Sequence, residues 1–162
     1  MGDPPHDTLY NMRTILLKAS TKECFYRIPS MGYPFIQVMN SYGEVVRKIP
    51  LPHPYVDKLP RTNEHRLKLM KTHSKQLHFI SGADSDESGN LHLLLRWIYM
   101  RGKDGKLTSR DDRFVVKIDE QGTLLAVHEL DRPVSNFTVG WDGNSYYATD
   151  KESDHLLHFA IQ

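Results

Sequence analysis

Cysteine is nearly missing. Cys24 stands alone among 162 residues. A single thiol excludes an internal disulfide framework and a multi-cysteine zinc site. Long hydrophobic runs are missing too: no stretch approaches the roughly 20 apolar residues of a membrane helix. The opening MGDPPHDTLY carries neither the basic nor the apolar segment of a secretory signal, so the localisation stays unassigned. No sign of charge dominates. With 21 Lys+Arg against 20 Asp+Glu the net charge is +1, and no global field selects nucleic acid or an anionic membrane. The motifs of a phosphate loop, a dinucleotide fold, a zinc protease helix and a nucleophile elbow are all absent.

What remains is an ordinary soluble composition. Hydrophobic residues make up 39% and charged residues 25%, enough for one domain with a core. The charge is divided along the chain. Residues 1–81 hold 12 Lys+Arg and 6 Asp+Glu, net +6, and residues 82–162 hold 9 and 14, net −5. Much of the excess lies in 57–76, with Lys58, Arg61, Arg66, Lys68, Lys71 and Lys75. No aromatic residues interleave with these bases, as single-strand binders require, so a solvated connector is the expectation. The opposite signs of the halves are a weak pointer to self-association.

Periodicity predicts strands: 14–19, 24–28, 35–39, 44–49, 77–82, 90–100, 113–119, 123–130, 135–140, 145–150 and 155–161. These runs are rich in β-branched, aromatic and leucine residues and are bounded by turn residues. SYGE, ESGN, KDGK, EQGT and WDGN separate neighbours; glycine reaches the positive φ of tight hairpins without steric cost. The expectation is an all-β antiparallel meander.

A repeat is visible. FIQVMNSYGEVVRKIPL (35–51) aligns without gaps to FVVKIDEQGTLLAVHEL (114–130), pairing Phe35 with Phe114, Gly43 with Gly122 and Leu51 with Leu130. A second match sets SGNLHLL (88–94) on DGNSYYA (142–148). A unit of about four antiparallel strands suggests a propeller blade, whose middle strands are covered on both faces. LHLLL (91–95) has that doubly apolar character. The alternative is a β-sandwich, which buries one face of each sheet.

FVVKIDEQGTLLAVHELDRP (114–133) and VSNFTVGWDGNSYYATDKESDHLLHFAIQ (134–162) resemble the last blades of six-bladed β-propellers of the NHL-like and TolB-like kind. Asp119, Gly122, Pro133, Asp142, Gly143, Asn144 and Tyr146 fill that pattern, and 35–52 matches it with Asn40 where Asp is usual. The resemblance implies a single domain: a blade over 8–52, a basic connector over 53–76, a blade over 77–133 and an incomplete blade over 134–162. At roughly 40 residues per blade, that is about two and a half to three blades of a six-bladed ring. The chain is then part of a larger propeller, a self-associating arc, or a collapsed sandwich or barrel, in that order of preference.

No site stands out for chemistry. Cys24, in ECFYRI, reads as a small core residue. His155 and His158 are three apart, which on a strand places them on opposite faces; His73 and His78 have no matching carboxylate motif. The loop with Asp84, Asp86 and Glu87 has an Asp-x-Asp, but Leu95 stands where a calcium loop needs Glu, so a solvated hairpin turn is the expectation. Ser135 and Ser145 have no evident base. Arg96, Trp97, Tyr99 and Arg101 form a dense cluster that could bind a partner or an anionic ligand, but a blade strand with Trp97 and Tyr99 packed against a neighbour is the favoured reading; the charged loop 101–112 is the first candidate for a recognition insertion. Asn136-Phe137-Thr138 is a glycosylation sequon by pattern. The expected function is a non-enzymatic binding or assembly module. It has no catalytic or metal residues and no cofactor. A protein partner or a second copy is expected. The alternative is a calcium-dependent lactonase-type propeller, which the resemblance would give Asn136 and Asp150 as oxygen ligands.

Overall fold

The computed structural model describes residues 14–19, 23–29, 35–52, 77–99 and 108–161, with backbone alone for 77–79, 96–99 and 108–112. The basic segment 57–76, with His73, and Arg101 lie outside the described residues. Every described element is a strand: β1 (Thr14–Lys18), β2 (Cys24–Pro29), β3 (Phe35–Asn40), β4 (Val45–Pro50), β5 (Leu77–Ser85), β6 (Leu91–Tyr99), β7 (Thr108–Ile118), β8 (Leu124–Glu129), β9 (Val134–Val139), β10 (Ser145–Asp150) and β11 (Leu156–Ala160). The protein is all-β. Three antiparallel meanders follow one another: β1-β2-β3-β4, β5-β6-β7-β8 and β9-β10-β11. Two strands run three or more residues past the ends that the sequence suggests. β5 continues to Ser85, so Asp84 is a strand residue, and β7 begins at Thr108 inside the charged loop.

The repeat is structural down to its irregularities. β3–β4 slips register between Val38 and Met39, and β7–β8 slips at the matching place, between Lys117 and Ile118. Asn40 and Asp119 each close the following turn alike. The Asn40 side-chain oxygen accepts from the amides of Tyr42 and Glu44, and that of Asp119 from Gln121 and Thr123. Gly43 and Gly122 hold the left-handed position, at φ 83° and 88°.

The match of 88–94 to 142–148 holds for the turn residues and fails for the strands. Asp86 N–H donates to the Asn90 carbonyl, while Gly140 N–H donates to that of Ser145. The third sheet's turn therefore contains one more residue. A one-residue slip turns every side chain to the other face. Asp84 pairs with His92 and Thr138 with Tyr147, so Tyr147, not Tyr146, is the counterpart of His92. The counterpart in the first sheet is Tyr26, which pairs with Val38 as His92 pairs with Lys117.

These registers decide what each sheet covers. Leu91, Leu93, Leu95, Val116 and Ile118 of the second sheet share a core with Tyr26, Ile28, Ile36, Val38 and Ile49 of the first. The intervening Leu94 and Val115 point the other way, into a core with Val134, Tyr146 and Ala148 of the third. The middle sheet is thus buried on both faces, which is why LHLLL shows no polar alternation. Fully burying each leucine contributes about 1.5–3 kcal/mol. The first strands converge: β5 touches both β1 and β9. Gly82 permits the second approach, because a Cβ there would lie 3.2 Å from the Phe137 ring.

Candidate functional site

The two seams between sheets differ in chemistry. Between the first and second sheets the core is hydrocarbon apart from the Tyr26 hydroxyl and the partly buried Cys24 thiol. The turn 119–123 also docks on β4: Arg47 Nη1 donates to the Glu120 carbonyl at 3.1 Å. A Cβ on Gly122 would lie 2.2 Å from the Pro50 carbonyl oxygen.

The seam between the second and third sheets holds the densest polar cluster among the described residues. Asp86 opens the turn between β5 and β6 and is buried, as is His92 on β6. Asp86 Oδ1 accepts from the Asn90 amide at 2.9 Å, and Oδ2 from Asn90 Nδ2 at 3.0 Å. Lys117 Nζ lies 3.0 Å from the same Oδ2. His92 bridges the sheets, with Nε2 3.2 Å from Asp86 Oδ2 and Nδ1 2.9 Å from the Tyr146 hydroxyl. The His128 ring also meets Tyr146 edge-on, at 5.7 Å.

Electrostatics orders the protons. Burial alone would raise the Asp86 pKa, but hydrogen bonds from Asn90, Lys117 and His92 outweigh it and hold the carboxyl well below the usual range. Burial lowers His92, and Lys117 adds to that, against the pull of Asp86. The imidazole is therefore neutral beside an ionised carboxylate. A carboxylate only accepts, so Nε2 carries the ring proton and Nδ1 accepts the Tyr146 O–H. Burial, and then the Asp86 charge, push Tyr146 upward, which keeps that hydroxyl protonated. A buried polar group costs about 1–3 kcal/mol if left unpaired; here each finds a partner. A second latch lies close by: Asp84 Oδ2 accepts from the Thr138 hydroxyl and from the Val139 amide at 2.8 Å.

This Tyr–His–Asp line orders protons but offers no surface to a substrate, since His92 and Tyr146 are enclosed between sheets. What it does is join two sheets in one register. Sequence reasoning placed Asp86 in a solvated turn and left His92 unremarked. One signal pointed to it: a lone imidazole inside an apolar strand covered on both faces must find a buried partner.

The other sequence candidates are dispersed. Cys24 opens β2 and packs partly buried against the first core. His158 lies on β11, stacked on Tyr147 at 4.8 Å, and His155 precedes that strand. His78 is on β5, and Arg96, Trp97 and Tyr99 are on β6, with side chains outside the described residues. Glu87 is exposed in the β5–β6 turn, and Ser145 opens β10, half-buried. Ser135 Oγ donates to the Thr149 carbonyl, as Ser81 does to that of Leu94, at the same slipped position of each first strand. Asn136 is exposed on β9. Asp150 accepts from the Glu152 and Ser153 amides and from Arg132, so its oxygens are engaged. Among the described residues no group of three or more His, Cys, Asp or Glu side chains is placed to hold a metal ion.

No family model matches the chain, and no curated protein matches it. Among solved structures 17 chains are similar. One is a protein of unknown function from Bacteroides caccae, with 10% identity and a TM-score of 0.30 over 92% of this chain. This chain spans 62% of that protein's length. A likeness at that score carries neither a fold nor an activity.

Proposed function

We propose that the protein is a non-enzymatic binding or assembly module made of three consecutive propeller-like blades, and that it works through the outward faces of its first and third sheets. One observation carries this reading: the middle sheet is buried on both sides, whereas each end sheet has one face with no sheet against it among the described residues. Three further features support it. The meanders follow one another in sequence order, their first strands converge, and strand slips recur at matching places. The end faces expose large apolar side chains, Leu16 at 63% and Leu156 at 77%. Exposed apolar patches mark interaction surfaces.

The test is the mass of the full chain in solution. Sedimentation equilibrium is expected to give an assembly of two or more chains, populated increasingly with concentration. A compact monomer throughout the micromolar range overturns the proposal. The lactonase alternative gains no observation here, because the Asp150 oxygens it would use are taken up by Arg132 and two backbone amides.

A further inference from the structure

The repeat makes the two open faces comparable with the two closed seams. In each closed seam, a ring on the second strand points toward the following sheet. Tyr26 enters the core that contains Leu91, and His92 reaches Tyr146. Register makes Tyr147 the third member of this series, at 42% exposure on the outward face of the last sheet. The receiving positions are Leu91 in the second sheet and Tyr146 in the third. Their counterpart in the first sheet is Phe25, which pairs with Met39 as Leu91 pairs with Ile118. Phe25 and Leu16 point to the outward side of the first sheet, away from Tyr26 and Ile28. The third sheet thus ends on a donor face, and the first begins on a receiver face.

The charges agree with this pairing. The first sheet's outward face carries Lys18, Arg27 and Lys48, with Lys48 Nζ 4.6 Å above the Phe35 ring. The third sheet's turns carry exposed Asp142, Glu152 and Asp154 against one exposed cation, Lys151. Lys18, Arg27 and Lys48 at one end of the stack thus face a net acidic set of turn residues at the other, which favours approach in this orientation.

Resting on the assembly reading above, we infer that the occupant of each open face is a second copy of this chain, docked head to tail. The outward face of the third sheet, with Tyr147, Thr149, Leu156 and His158, seats the outward face of the first sheet of another copy, with Leu16, Phe25 and Arg27. The contact is heterologous: the two surfaces differ, and one copy uses both.

A mixing experiment separates this from any like-with-like contact. Leu16→Asp blocks the receiver face, and Leu156→Asp blocks the donor face. Both side chains are exposed, so circular dichroism and melting of each variant should match the wild type. By sedimentation velocity, each variant alone is expected to stay monomeric at concentrations where the wild type assembles. An equimolar mixture is expected to recover a two-chain complex, because one intact donor meets one intact receiver. Should the first pair lose the fold, Lys48→Glu and Tyr147→Asp carry the same test. The inference is overturned if either variant alone assembles as the wild type does, or if the mixture stays monomeric while the wild type assembles; the assembly reading survives both results. A wild type that is monomeric throughout overturns both.

Discussion

The two seams flank one sheet and are built on different principles. Toward the first sheet, β6 and β7 present Leu91, Leu93, Leu95, Val116 and Ile118. Toward the third, the same strands present Leu94 and Val115 together with His92 and Lys117. The hydrocarbon core of the first seam stabilises by buried area, without directional bonds of its own. The polar seam adds directional bonds that one register alone satisfies: His92 to Tyr146 and Asp84 to Val139. The lesson is that alternate residues of a single strand can specify two neighbours by separate means.

The comparison can be broken first in the hydrocarbon seam. Leu93→Ala removes a side chain buried to 1% exposure, and loss of transfer energy plus a cavity should cost about 4 kcal/mol, read by urea denaturation. A cost below about 1 kcal/mol would mean that this seam is open in solution. Next comes the docked turn. Gly122→Ala must abandon a left-handed φ, worth roughly 1–2 kcal/mol, and also push Pro50 away, for an expected total of about 3 kcal/mol. Gly43, its repeat counterpart, has nothing within 4 Å of a new Cβ, so Gly43→Ala should cost about 1 kcal/mol from φ alone. Equal losses would show that the turn 119–123 does not dock on β4.

The polar seam should respond more gently. Tyr146→Phe keeps the ring but deprives His92 Nδ1 of its donor, for an expected loss of about 1–2 kcal/mol. Hydrogen exchange in β9–β11 should rise more than in β1–β4. The smallest effect is with pH. The folded pKa of His92 lies below its ordinary 6.5, and His128 is lowered as well by burial and Lys117. The unfolded chain then binds more protons, so stability is complete above about pH 6.5 and is lost as pH falls below it. Asp86 acts in the same direction at lower pH. Exchange at pH 5.5 should loosen the third sheet before the first; uniform loosening would remove the His92 network as its cause.

The strands were legible in the sequence because each lies between turn residues and carries a consistent apolar face. β10 falls at 145–150 as expected. Asn40–Gly43 and Asp119–Gly122 declared the repeat because the turn geometry demands those residues. What escaped was the extra residue in the third sheet's turn. Gly143-Asn144 matches Gly89-Asn90 letter for letter, and only the backbone pairing reveals the slip that sends Tyr146 inward and Tyr147 outward. The Asp86–His92–Tyr146 line was hidden for a related reason: its members come from two sheets, and His92 and Tyr146 stand 54 positions apart. The start of β7 within the charged loop lay beyond pattern reading, since Thr108–Asp112 is polar throughout and is held by pairing with β6.

Hydroxyl-radical footprinting of the full chain, at a dilution that leaves monomers and at a concentration that favours assembly, tests the covering of faces most directly. Leu91, Leu93, Leu94 and Leu95 should resist oxidation in both samples. Leu16, Tyr147 and Leu156 should be modified in the dilute sample and protected in the concentrated one. Oxidation of Leu93 or Leu94 as rapid as that of Leu156, or unchanged labelling of the end faces in an assembled sample, would contradict the account.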